Sequence, residues 1–314
     1  MKKILTLALT AVAVSGAFAQ GFPSKPITLV VPFAAGGPTD LVARQLAEAM
    51  RKPLGGTIGA TKVARAAADG HTLLVWHIGM AATAGLYRKL AYKPLEDFEY
   101  LGIINDVPMT LLGAPKLPAN TYRDFENYIR ANGGKLNLAH AGLGSASHLC
   151  GLMWQSAVKL DKSMTTIAYR GTGPAMNDLI GGQVDVMCDQ TTNTTAQIEG
   201  GRVKAFAVTT AKPLNAHPLL KNYPTLQEMG LKGFNLTIWH GMYAPKGTPA
   251  DVQKKLNDAL KVALKDPEFI KKQEALGALV ADDNRVTPAG HKAFVASEIT
   301  KLKTVIEAAG QFAD

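Results

Sequence analysis

The chain has 314 residues, with 34 lysines and arginines against 25 aspartates and glutamates, a formal charge of +9, and 47% hydrophobic residues. Its only cysteines are Cys150 and Cys188, and it has no CxxC, HExxH or clustered His/Cys spacing, so neither a metal site nor another cofactor is expected. The lysines between Lys246 and Lys303 are scattered among acids rather than gathered into a basic run with aromatics, which argues against nucleic acid. The charge excess instead favours small anions by long-range steering.

Met1 to Gln20 reads as an export signal. Lys2 and Lys3 precede the apolar run Ile4–Val14, and Ala17-Phe18-Ala19 offers small residues for cleavage after Ala19. The run is too short to span a bilayer, and no later segment reaches the roughly 18 apolar residues needed. Removing Lys2 and Lys3 leaves +7 (9 minus 2). About 295 residues remain, a length at which a single core usually divides in two.

Ile27 to Val31 is a β-branched apolar run of the kind found in a parallel strand covered on both faces. The turn Ala34–Asp40 follows, with Gly36 and Gly37 allowing close backbone approach and Pro38 suited to the first helical position. Leu41, Val42, Leu46 and Met50 then form one buried stripe. A strand that feeds a helix N-terminus in this way offers free N–H groups to an anion, although the same turn can also be purely structural. Asp40 reads first as a carboxylate stabilising the helix dipole, and only second as a ligand contact.

Lys52–Gly56 breaks the pattern, Thr57–Ala68 reads as a helix, and Thr72–Trp76 as a second apolar strand. The loop at His77 should lie beside Ala34–Asp40, beyond the carboxyl ends of the strands; alone, His77 reads as a surface or capping residue. Leu101–Ile104 and Met109–Gly113 read as two strands flanking Asn105–Pro108. A helix from Thr121 and a strand at Leu136–Ala139 lead into a second glycine turn, His140–His148. There Ser147 is placed to cap the helix that follows, while Ser145 offers a hydroxyl beside free N–H groups. Thr166–Tyr169, the turn Arg170-Gly171-Thr172-Gly173-Pro174, a helix to Ile180 and a strand from Val184 ending at Asp189 repeat the rhythm. Two such units imply two α/β domains. Phe206–Thr209 is a strand, Phe234–Tyr243 is extended, and three proline-opened helices complete the chain. The cysteines could pair in an exported protein, but the reading favours two buried, unpaired thiols.

Taken in order, the export signal, VPFAAGGPTD (31–40), GATKVARAAADGHTLL (59–74), LYRKLAYKPLEDF (86–98), GLGSASHL (142–149), YRGTGPAMNDLIGGQVDVMCD (169–189) and GMYAPKGTP (241–249) resemble the Bug, or TctC, family of periplasmic solute receptors. The resemblance covers essentially the whole mature chain. It implies a type II two-domain α/β binding protein, each domain a mainly parallel sheet flanked by helices, with a ligand cleft between them. Residues 20–112 plus 240–314 would form one domain and 113–239 the other. It also implies a monomer that hands an organic acid anion to the membrane components of a tripartite tricarboxylate-type transporter. Such families usually carry a further strand and a glycine-rich loop where this chain has only Pro53–Gly56.

The expected ligand contacts are Phe33, Ala35, Gly36, Gly37, Thr39, Asp40, His77, Trp239 and His240 from the first domain and its connection, and Gly144, Ser145, His148, Arg170, Gly171, Thr172 and Asp189 from the second. In the family, backbone N–H groups and bridging waters hold a carboxylate at the first loop. Arg170 could pair a second carboxylate or merely solvate the rim. His77, Trp239 and Phe33 suggest flat surfaces for an aromatic dicarboxylate such as terephthalate, with aliphatic di- and tricarboxylates as the alternative. A receptor that presents its ligand to a sensor protein is a further alternative. An exported Ser/His hydrolase is the weaker rival, since Gly142–His148 lacks GxSxG.

Overall fold

The computed structural model describes residues 22–24, 27–32, 35–54, 58–59, 66–88, 90, 92–160 and 163–309. The stretch read as an export signal, Met1–Gln20, and Phe33 lie outside them, as does most of the stretch expected to be helical at 57–68. Ile27–Val30 forms β1, because its alternate residues Ile27 and Leu29 can be buried without an unsatisfied side chain. Pro38–Leu54 is α1, whose Val42, Leu46 and Met50 are fully covered. Ile58–Gly59 is a short strand, β2, rather than helix, and it pairs in parallel with β1, so an edge strand is present beyond the Pro53–Gly56 link.

The order then runs β3 (Thr72–His77), α2 (Gly79–Leu86), β4 (Phe98–Gly113), α3 (Tyr122–Asn132), β5 (Asn137–His140), α4 (Ala146–Ala157), β6 (Thr165–Ala168), α5 (Thr172–Ile180), β7 (Val186–Gln190), α6 (Thr191–Glu199) and β8 (Lys204–Val208). It ends with β9 (Thr237–Pro245), α7 (Ala250–Ala263), α8 (Pro267–Glu274), β10 (Leu279–Val280) and α9 (Pro288–Ala309).

Among the described residues the strands join in the order β2-β1-β3-β9-β4-β7-β5-β6, with β8 and β10 also on β4. The outer trios β2–β1–β3 and β7–β5–β6 are parallel, whereas β9 and β4 run antiparallel through the middle. β4 is one continuous strand where two were expected. Its first part, to Pro108, pairs with β9, and its last part, from Met109, pairs with β7 and β8. Pro108 has no N–H, and a ladder tolerates that loss where the strand changes partners. Thr209 completes the switch: its hydroxyl accepts from Met109 N at 3.0 Å and donates to Leu236 O at 2.7 Å.

Helices cover both faces. Leu46 and Met50 of α1 share an apolar cluster with Leu256 and Leu260 of α7 on one side, while Met80 and Leu86 of α2 join Val295, Leu302 and Ile306 of α9 on the other. In the second lobe α4 lies on β7, and there Cys150 and Cys188 form a disulfide with a Cα–Cα distance of 6.0 Å. The expectation of unpaired thiols is therefore corrected. Each cysteine taken alone is a small buried residue, and only the packing of helix on strand brings the two into bonding range.

Candidate functional site

β1, β3, β5, β6 and β7 each end by feeding a helix, and these ends converge. The cavity between them, about 20 Å³, is lined by Pro38 and Thr39 of α1, His77 ahead of α2, Ser145, Ala146 and Ser147 of α4, Thr172 of α5 and Gln190 ahead of α6, with Ala141 between. None of the described residues lining it is a lysine or arginine. Positive potential comes instead from five helix N-termini, whose first-turn N–H groups have no partner inside the helix and carry the positive end of the dipole. Such a constellation suits an anion, and it serves both ends of an elongated one because the helices belong to both lobes.

On the first lobe, the turn before α1 is held from within. Asp40 Oδ2 accepts from Gly36 N at 2.9 Å and from Arg44 Nε at 2.8 Å. Burial alone would raise the Asp40 pKa, but the bonds from Arg44 and Gly36 outweigh it and keep the carboxylate below its usual range. Asp40 thus braces the turn and does not line the cavity, while Ala35 and Gly36 are exposed and Gly37 is buried at the start of the helix.

His77, His240 and Asn105 are cross-strand neighbours on β3, β9 and β4, so they share one face of the sheet. His77 Nδ1 accepts from Gly79 N at 2.8 Å, and burial pushes its pKa down to about 3, so the neutral ring carries its proton on Nε2. His240 is fully buried behind Thr39, at 3.2 Å from its Oγ1, and is not itself a wall of the cavity. Period-two alternation turns Trp239 to the opposite face. There its indole donates to Glu298 Oε2 at 3.2 Å and meets Phe294 edge-on, beside a second cavity of about 290 Å³.

On the second lobe the serine roles are the reverse of those expected. Ser145 is the N-cap of α4, its Oγ accepting from His148 N at 3.2 Å, and Ser147 Oγ accepts from Ala141 N at 2.8 Å. Both still line the cavity. His148 turns back on its own loop, Nδ1 accepting from Gly144 N at 3.3 Å. Ser145 therefore meets the backbone of His148 and not its ring, which is no arrangement for a nucleophile and its base. Gly171, with φ 112°, precedes α5 and leaves Thr172 on the wall; Arg170 is exposed and not part of the lining. Asp189 is buried behind the wall with Oδ2 accepting from Asn193 at 2.6 Å, and burial pushes its pKa up to about 7. The next residue, Gln190, reaches the cavity. Sequence reasoning passed over Gln190, and the signal for it was the run Gln190–Thr195 directly after an apolar strand.

Residues 39–311 match the family described as tripartite tricarboxylate transporter family receptor, TctC. The chain belongs to this receptor family. It is 44% identical to a UPF0065 protein in the TAR-I ttuE-ttuC' intergenic region of Agrobacterium vitis, over 93% of this chain and 86% of the relative. Among solved structures, the periplasmic binding protein BugD superposes with a TM-score of 0.89 at 44% identity, over 93% of this chain and all (100%) of that one. MatC from Rhodopseudomonas palustris, solved with bound malate, gives 0.84 at 37% identity, over 91% and 100%. The receptor is thus a periplasmic solute-binding protein of the TctC family and not an enzyme, and its fold is the two-lobed one of periplasmic binding proteins. No helix among the described residues is long and apolar enough to cross a membrane.

Proposed function

We propose that this receptor, exported with its leader removed after Ala19, captures an organic dicarboxylate between its lobes and delivers it to the membrane components of a tripartite tricarboxylate-type transporter. The observation that carries the reading is the convergence of five helix N-termini from both lobes on one cavity whose described lining has no lysine or arginine. A cavity of about 20 Å³ holds a water molecule but not a dicarboxylate, so ligand enters by parting the lobes. The bend falls where β4 and the β9 segment change lobes, at Pro108–Met109 and Leu236–Thr237, a few residues from the boundaries at 112/113 and 239/240 expected from the sequence.

An aliphatic dicarboxylate is favoured over an aromatic one such as terephthalate. The case for an aromatic ring leans on Trp239, which faces away, and His77 is the one flat side chain on the described wall. Malate bound to MatC is consistent with the aliphatic choice. Calorimetric titration of purified protein with succinate, citrate, benzoate and terephthalate tests it. Saturable succinate or citrate binding, with matching thermal stabilisation, is the expected result. Terephthalate binding above succinate would reverse the choice, and silence from all four would sink the carboxylate reading.

A further inference from the structure

Thr39 and His240 meet across the buried wall of the cavity, and which of them donates is settled on the far side of the ring. Asn105 Oδ1 lies 2.9 Å from His240 Nδ1; a carbonyl oxygen only accepts, so Nδ1 carries a proton. The ring is fully buried, and burial together with neighbouring His77 keeps it neutral. With its one proton on Nδ1, Nε2 is a lone pair, and the Thr39 hydroxyl 3.2 Å away donates to it. The direction is held further back. Asn105 Nδ2 donates to Gln273 Oε1 at 2.6 Å, and Gln273 Nε2 donates to Gln45 Oε1. The chain Thr39–His240–Asn105–Gln273–Gln45 thus begins and ends on α1, with Asn105, Gln273 and His240 buried. Turning His240, Asn105 or Gln273 alone would set donor against donor or acceptor against acceptor out of reach of water, so these three keep one polarity as a unit.

Thr39 lines the cavity with its hydroxyl proton already committed inward, and only its oxygen lone pairs remain for a guest. A bare carboxylate oxygen there would face lone pair with lone pair. We propose that Thr39, oriented by His240 as a positioning residue, selects a ligand that presents a hydrogen-bond donor at this wall, a hydroxyl or an ammonium, while its carboxylates take the helix N-termini. The inference rests on the carboxylate reading above and adds to it the class of substituent the anion carries.

Two measurements on the full chain test it. With ¹⁵N-labelled histidine and His240→Gln to assign the signal, long-range proton–nitrogen correlation reports the tautomer of His240. Nδ1–H, both free and with malate bound, is expected, and Nε2–H would overturn the proposal. The second compares succinate with malate and aspartate, which add a hydroxyl or an ammonium to the same four-carbon dianion. At least one of the two should bind more tightly than succinate by about two- to tenfold, as one hydrogen bond allows. Thr39→Val should bring it level with succinate, and Thr39→Ser should keep the preference. Equal affinities in the unaltered protein, or a preference that survives Thr39→Val, would overturn the selection by Thr39 while leaving a carboxylate receptor intact. Binding of none of the three would remove the reading on which the inference rests.

Discussion

Gly144 of the second lobe stands against Leu86 of the first: a Cβ placed on Gly144 would lie 3.0 Å from Leu86 Cδ2. Its φ of 74° is also one that side chains disfavour. Gly144→Ala should therefore cost about 1–2 kcal/mol of stability from the backbone, in any arrangement of the lobes. It should also weaken succinate binding, because only approached lobes press the new methyl on Leu86. Combining it with Leu86→Val, which removes the Cδ carbons, should restore affinity but not stability. Affinity that stays low in the double variant would assign the whole effect to the backbone.

The β1–α1 turn was legible because strand, turn and helix start are written consecutively in Ile27–Met50, so local rules suffice. The two glycine turns of the second lobe were legible for the same reason. What escaped depends on partners distant in sequence. α6 opens Thr191-Thr192-Asn193-Thr194-Thr195, poor helix formers, and is held by tertiary bonds such as Thr110 Oγ1 to Thr194 Oγ1 at 2.8 Å. Trp239 and His240 could not both point to the cavity side of one strand, yet the extended segment did not reveal that His240 would lie on that side, behind Thr39, and Trp239 on the other. β4 read as two strands because Asn105–Pro108 is polar and ends in proline, while the β9 residues that pair with Asn105–Pro108 lie more than a hundred residues downstream, and Gln273, which accepts from Asn105, lies further still.

Thr209 carries the polar load where β4 changes lobes. Thr209→Val keeps the shape but leaves Met109 N–H without its 3.0 Å acceptor in a fully buried place. A loss of about 1–3 kcal/mol is expected from urea unfolding. If the bend lies here, scattering should also show a broader spread of lobe separations in this variant, and an unchanged profile would place the bend elsewhere.

The Cys150–Cys188 bond spans 38 residues between a helix and a strand. Constraining the unfolded chain over such a loop contributes about 4 kcal/mol in the loop-entropy account, so the Cys150→Ala/Cys188→Ala chain should unfold at markedly lower denaturant. Mass spectrometry of the exported protein, alkylated without reduction, should find no free thiol. Full alkylation of both cysteines would remove the bond from the native molecule.

Asp189 makes a prediction in pH. Its carboxyl is fully buried, and burial lifts its pKa from 3.8 to about 7, against the opposing bonds from Asn193 and the Gln190 backbone. Below about pH 4 the group is protonated in both folded and unfolded chains and contributes no slope. Between about 4 and 7 the unfolded chain has released the proton while the folded chain keeps it, so folding takes up a proton and stability falls as pH rises. Above about 7 both forms are ionised and the loss is complete. This opposes the ordinary gain from paired carboxylates such as Asp40 and is isolated by difference, comparing the pH profile of the unaltered protein with that of Asp189→Asn. The amide mimics the protonated acid in shape and charge, so the variant should lose this falling limb and gain relative stability toward pH 8. Parallel profiles from pH 4 to 8 would show that Asp189 stays ionised in the fold, held by Asn193 and the start of α6.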